Sequence, residues 1–272
     1  MKQIIIISAF ALILSCNKKE KFNKATEPPS ETTLSTENKP KISPFTQKIE
    51  RTHKKTAYLN KEAISFDIDV KFGGKDYLNG TFTMLTDGTK IRLDSKDNTK
   101  VIYNGNEVFM SPKTAEIGGA RFDIFTWSYF FNLPYKLNDP GTKWSSPKQR
   151  PLNGSMHHTE KLSFESGIGD APDDWYVVYK NAIDNTLAGA AYIVSFGKDL
   201  AAAEKEPHAV KYNNYQNVDG IPVSKQWTFH NWNEKDGYGN QIGEVTINNV
   251  KFLNPEDNLF SKTEDSKAVP AP

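Results

Sequence analysis

"AISFDIDVKF", residues 63–72, is the stretch on which the fold turns. Ile64, Phe66, Ile68, Val70 and Phe72 alternate with Ser65, Asp67, Asp69 and Lys71. A period of two puts every apolar side chain on one face of a half-buried β-strand. Gly73-Gly74 turns the chain, and "YLNGTFTML" starts the return. Segments of the same kind follow: "KIRLDS", "KVIYN", then "EVFMS" after Asn104-Gly105, a strong hairpin signal. Further along lie "MHHTEKLSFE", "WYVVYK", "LAGAAYIVSF", "NYQNVDGIPVSKQWTFHNW" and "GEVTINNVKF". Short strands at near-regular spacing, divided by Gly, Asn and Asp, predict a mainly β chain forming an antiparallel sheet or open barrel. Strands do not alternate with helices, which excludes a doubly wound nucleotide-binding fold.

Upstream of this strand the period changes. "FTQKIERTHKKTAYL" carries Phe45, Ile49 and His53 at helical spacing, and Ser43 before Pro44 suits a helix start. Residues 17–43 are rich in Lys, Glu, Thr, Ser and Pro and almost lack apolar residues; they cannot offset the entropy of ordering and read as a tether. At ~5–6 Å × √n, such a linker reaches roughly 30 Å. Before it, Lys2 precedes an apolar run from Ile4 to Leu14, then Ser15 and the single cysteine, Cys16. A basic start, a short apolar run and a small residue before the cut make a secretory signal over residues 1–15 rather than a span. With no second cysteine, the exported domain holds no disulfide. The C-terminal residues 263–272, ending AVPAP, read as a loose tail, leaving a domain over 44–262.

The aromatic residues concentrate in "FDIFTWSYFF", residues 122–131. On a helix its apolar side chains cover nearly the whole circumference, with narrow gaps at Asp123/Thr126 and Ser128/Asn132. On a strand Phe125, Trp127, Tyr129 and Phe131 share one face, which is also a sound pattern. Gly118-Gly119 before it, and Pro134 after it, favour a helix over 122–132 that ends as proline bars the α conformation at Leu133. At ~1.5–3 kcal/mol per large apolar side chain, leaving seven such residues in water would cost on the order of 10 kcal/mol. They meet either the sheet, as a core plug, or a ligand, as a cavity wall. Trp227 and Phe229 share a strand face and read as inner-face packing near the mouth of the barrel, within reach of a ligand.

Catalytic chemistry finds little support. His157 and His158 are adjacent and on a strand point to opposite faces, so they do not share an ion; the histidines read as solvated surface residues. Asp170, Asp173 and Asp174 lie within five residues but lack the alternation and closing Glu of a calcium loop; a polar loop in which an Asp accepts backbone N–H bonds fits better. No nucleophile elbow, phosphate loop or metal motif occurs. A net charge of +1 offers no field for nucleic acid. These readings leave no catalytic residue, cofactor or metal to assign.

Two resemblances add to this. Ser15-Cys16 resembles the lipobox of bacterial lipoproteins, with Leu14 where a smaller residue is usual, which implies acylation of Cys16 and a membrane anchor. Over residues 44–262, the first helix, the strand meander, the hairpin "VIYNGNEVFM" and the closing "YQNVDGIPVSKQWTF…GEVTINNVKFLNPEDNLF" resemble the LolA/LppX-like superfamily. "GDAPDDWYVVY", "YKLNDPGTKW", "AYIVSFGKD" and "FHNWNE" are similar to an uncharacterised family of Bacteroidota lipoproteins of this architecture. The resemblance implies an incomplete β-barrel with helices across its concave face, able to hold acyl chains. With the aromatic helix across that face, the expected ligand-binding residues are Phe125, Trp127, Phe130, Phe131 and Trp227. Carriers of that superfamily are often soluble, whereas an anchored chain is closer to a tethered binder. Surface-exported lipoproteins of the Bacteroidota carry acidic residues after the cysteine; Lys18, Lys19 and Lys21 stand here instead, which favours an outer-membrane protein facing the periplasm. The expectation is a non-enzymatic envelope lipoprotein binding a lipid or other hydrophobic molecule. The rival is an interaction lipoprotein whose filled barrel docks a protein partner.

Overall fold

The computed structural model describes residues 42–116, 118–145, 147–152 and 154–272. Cys16, the expected signal and all but the last two residues of the expected tether lie outside them. Ser43 caps α1 (Pro44–Thr52), its hydroxyl accepting the Phe45 N–H at 3.1 Å, as the Ser-Pro pair predicts. Lys54, in the left-handed conformation, breaks the helix and starts the short α2 (Lys55–Leu59). Strands β1 (Ala63–Phe72), β2 (Lys75–Leu85), β3 (Ile91–Ser95), β4 (Lys100–Tyr103) and β5 (Val108–Ser111) follow as a meander. The aromatic stretch forms α3 (Ala120–Asn132). After it come β6 (Thr142–Trp144), β7 (Lys148–Leu152), β8 (Ser155–Phe164), β9 (Tyr176–Lys180) and β10 (Leu187–Tyr192). The short α4 (Leu200–Ala203) precedes β11 (His208–Val218), β12 (Ile221–Asn233), β13 (Gly237–Leu253) and β14 (Lys267–Ala268).

All fourteen strands among the described residues join one antiparallel sheet, ordered β14-β5-β4-β3-β2-β1-β13-β12-β11-β10-β9-β8-β6, with β7 also on β8. β13 returns across the chain to pair with β1, Ile68 opposite Ile247 and Val70 opposite Val245. The sheet does not close on itself. The period of two in β1 holds: Ile64, Phe66, Ile68 and Val70 are all buried in the main core, with α1, α2 and α3 on the same face. On β9 the faces separate cleanly. Val178 belongs to that core, whereas Val177 and Tyr179 join Leu152 and Trp232 in a second cluster on the opposite face.

The contacts of α3 establish the curvature. Phe125 meets Tyr103 of β4 at 5.1 Å, and Tyr129 meets Tyr176 of β9 at 5.3 Å. In a flat sheet those strands stand eight spacings apart, about 38 Å at ~4.8 Å each. A helix with its side chains is only ~10–12 Å across. The sheet therefore curls around α3, and the architecture is the open half-barrel with a helix in its hollow.

Two expectations change. Leu133 does not leave the α conformation: its φ is −48° and ψ −42°, and the chain tightens into a 3₁₀ turn, Leu133–Tyr135, with Pro134 inside it. The bias against helix before proline is overridden because Leu133 and Tyr135 are buried there. Nor are residues 263–272 a loose tail. Lys267 and Ala268 pair with Met110 and Phe109, the Val269 N–H donates to the Val108 carbonyl at 2.8 Å, and Val269 is buried. The outer edge of β5 offers unpaired backbone groups that this segment satisfies.

Candidate functional site

Helix α3 begins at Gly119, whose φ of +75° turns the chain into the hollow. Its polar positions are turned to structural use. Ser128 donates to the Ile124 carbonyl at 2.6 Å, and Asn132 accepts the buried Tyr58 hydroxyl at 2.6 Å. Asp123 accepts the Tyr77 hydroxyl at 2.9 Å and the Trp127 Nε1–H at 3.0 Å. Burial pushes its carboxyl pKa up, while those two bonds pull it back.

The five aromatic residues expected to form one wall are divided three ways. Phe131 stacks on Phe66 at 4.0 Å and 6°, and Trp227 lies beside Phe131 and Tyr212, almost wholly buried. This part of the helix is core. Trp127 and Phe130 both meet Phe229, at 5.7 and 5.5 Å. Their free edges line a cleft of about 260 Å³ with Phe72, Tyr77 and Tyr192. Phe125 lines a second, larger cleft of about 360 Å³. The two clefts share Phe122, Thr126, Asp174 and Tyr176, so they flank the first two turns of α3 and adjoin.

The larger cleft is walled by rings from distant parts of the chain: Tyr103, Phe122, Phe125, Tyr129, Phe164, Tyr176 and Phe196. Sequence reading missed most of these. Phe164 and Phe196 end their segments next to turns, where a period of two says nothing about which face they adopt. At the rim Arg121 grips Asp170 with two bonds, 2.5 and 2.9 Å, and donates a third to the Val269 carbonyl at 3.3 Å. Its guanidinium also lies 5.2 Å from the Phe125 ring. One side chain thus joins α3, the loop after β8 and the C-terminal segment. A bidentate, charge-assisted pair of this kind is directional as well as strong.

The acidic loop is polar scaffolding, as expected. Asp170 is taken up by Arg121, and Asp174 accepts both the backbone N–H and the hydroxyl of Ser195, at 2.7 and 2.8 Å. The two adjacent histidines have different neighbours: His157 the Lys180 carbonyl, His158 the Gln149 amide. Neither is bonded to the acidic loop. His53 departs from the surface expectation. It is fully buried, its Nε2 accepting the Leu187 N–H at 3.0 Å, and burial lowers its pKa to about 4.

The backbone arrangement matches solved structures. A LolA superfamily protein from Nitrosomonas europaea superposes with a TM-score of 0.50 at 9% identity, covering 80% of this chain and 97% of that one. A DUF1329 family protein from Desulfovibrio piger does so at 0.50 and 13% identity, covering 81% and 98%. The fold is LolA-like. No protein-family model matches the chain, and no curated protein matches it in sequence. At these identities the likeness concerns the fold, and the chemistry rests on the clefts themselves.

Proposed function

We propose that this chain is a membrane-anchored envelope lipoprotein that binds a lipid or other apolar ligand beside α3 and catalyses no reaction. One observation carries the reading: α3 fills the middle of the half-barrel but leaves two adjoining clefts with mainly aromatic and aliphatic walls. The larger one falls within the ~300–1,000 Å³ of small-molecule sites, and a greasy lining with a few fixed polar groups is what such sites present. Acylation of Cys16 would hold the domain at the membrane on its tether, with the outer membrane facing the periplasm as the favoured location. The rival, a filled barrel that docks a protein, needs no void beside α3, and two are present.

Native mass spectrometry of the delipidated protein, offered a mixture of bacterial phospholipids, tests this. One retained lipid per chain is expected. Thr126 lines both clefts, so Thr126→Trp should abolish retention, and Phe125→Trp should weaken it. A wild-type protein that retains nothing would refute the reading.

A further inference from the structure

Asp174 stands where the two clefts meet. One carboxylate oxygen, Oδ1, takes both bonds from Ser195. Among the described residues no lysine or arginine pairs with it, and the charge acting on it is the neighbouring carboxylate of Asp173, of the same sign. The cations of the larger cleft are engaged elsewhere: Arg121 holds Asp170, and Lys136 holds Asp139 and the Asp87 carbonyl. Burial disfavours the charged form of the Asp174 carboxyl and raises its pKa.

The clefts that Asp174 lines are rich in aromatic rings. Phe122 and Tyr176, like Asp174, line both clefts, Tyr129 and Phe196 the larger, Tyr192 the smaller. Tyr176 lies 5.3 Å from Tyr129 and 6.1 Å from Tyr192, ring to ring. The Tyr129 hydroxyl is itself buried without a hydrogen-bond partner. A half-buried carboxylate without a counter-ion is costly, and aromatic rings lining the same clefts offer a bound cation a second attraction. An anionic head group would meet repulsion at the same point.

We propose that Asp174 anchors a cationic ammonium group, so that the clefts take an amphiphile with an amine or quaternary ammonium head on an apolar body. This rests on the apolar-ligand reading above and narrows it to a head-group class.

Isothermal titration of the protein with decylamine, decyltrimethylammonium, 1-decanol and decanoate, each below its micellar concentration, tests it. Both cations should bind about tenfold or more tightly than decanol, a factor equivalent to about 1.4 kcal/mol, with decanoate the weakest. Asp174→Asn keeps an acceptor for Ser195 and should bring the cations down to the affinity of decanol while leaving decanol unchanged. Equal binding of all four probes, or a cation preference that survives Asp174→Asn, overturns the proposal and leaves apolar binding standing. Failure of every probe to bind removes both. Should the variant not fold, the order of the four probes on the wild type still decides.

Discussion

His53 closes α1 with its imidazole inside the protein, between Tyr135, Tyr215 and the Leu187 amide. Its pKa falls from 6.5 to about 4 because burial penalises the cation, against weaker upward pulls from the Pro222 carbonyl and Asp184. The unfolded chain then binds a proton that the folded one refuses between those two values. Stability is full above pH 6.5 and declines as pH falls to about 4, by about 3 kcal/mol at ~1.4 kcal/mol per unit. Urea denaturation across pH 4–7 should show this slope in the wild type and a shallower one in His53→Gln; the comparison is needed because His208 and His230 are also lowered by burial. A second prediction concerns Tyr58, which stacks on Tyr135 at 3.8 Å and donates to Asn132. Tyr58→Phe keeps the stack but strands a buried amide oxygen, and should cost about 1–3 kcal/mol in the same assay. The helical spacing of Phe45, Ile49 and His53 was visible in the sequence. That His53 would be sealed off by β10 and β12 was not, because those contacts span more than a hundred residues.

At the scale of elements, α3 and β14 are the informative pair. Gly119 enters α3 at a positive φ, and a Cβ there would sit 3.2 Å from the Asp123 carboxylate. Gly119→Ala should lower stability by about 1–2 kcal/mol, read by thermal or chemical denaturation. β14 has only two residues, yet it delivers Val269 to the core and a carbonyl to Arg121. Deleting residues 263–272 should cost about 2–3 kcal/mol, the burial of Val269 alone accounting for much of it; an unchanged denaturation midpoint would contradict the ordered role of this segment. The strands were legible from alternation and turn residues, and α3 from its flanking glycines and proline. β14 was not, since a short, proline-containing segment carries no period and pairs only because β5 presents a free edge.

For the whole molecule, the curl of the sheet brings the β3–β5 arm and the β8–β10 arm to one helix. The proposed anchor is tested at this scale too. Cys16→Ser should move the protein from the membrane fraction to the soluble fraction on cell fractionation, and a variant that stays with the membrane would count against acylation of Cys16. The aromatic residues of α3 could be counted in the sequence, and so could the energetic need to bury them. Which of them would meet the sheet and which a void could not. Phe131 and Phe125 lie six residues apart on one helix, yet the first stacks on Phe66 and the second opens onto a cleft. Strand period, turns and the apolar content of α3 are local properties, set by neighbouring residues, and they can be read along the chain. The clefts, and the place of Asp174 where they meet, depend on how far two distant arms close over a helix. That closure is visible in the folded molecule alone, because the void is whatever space those long-range contacts leave unfilled.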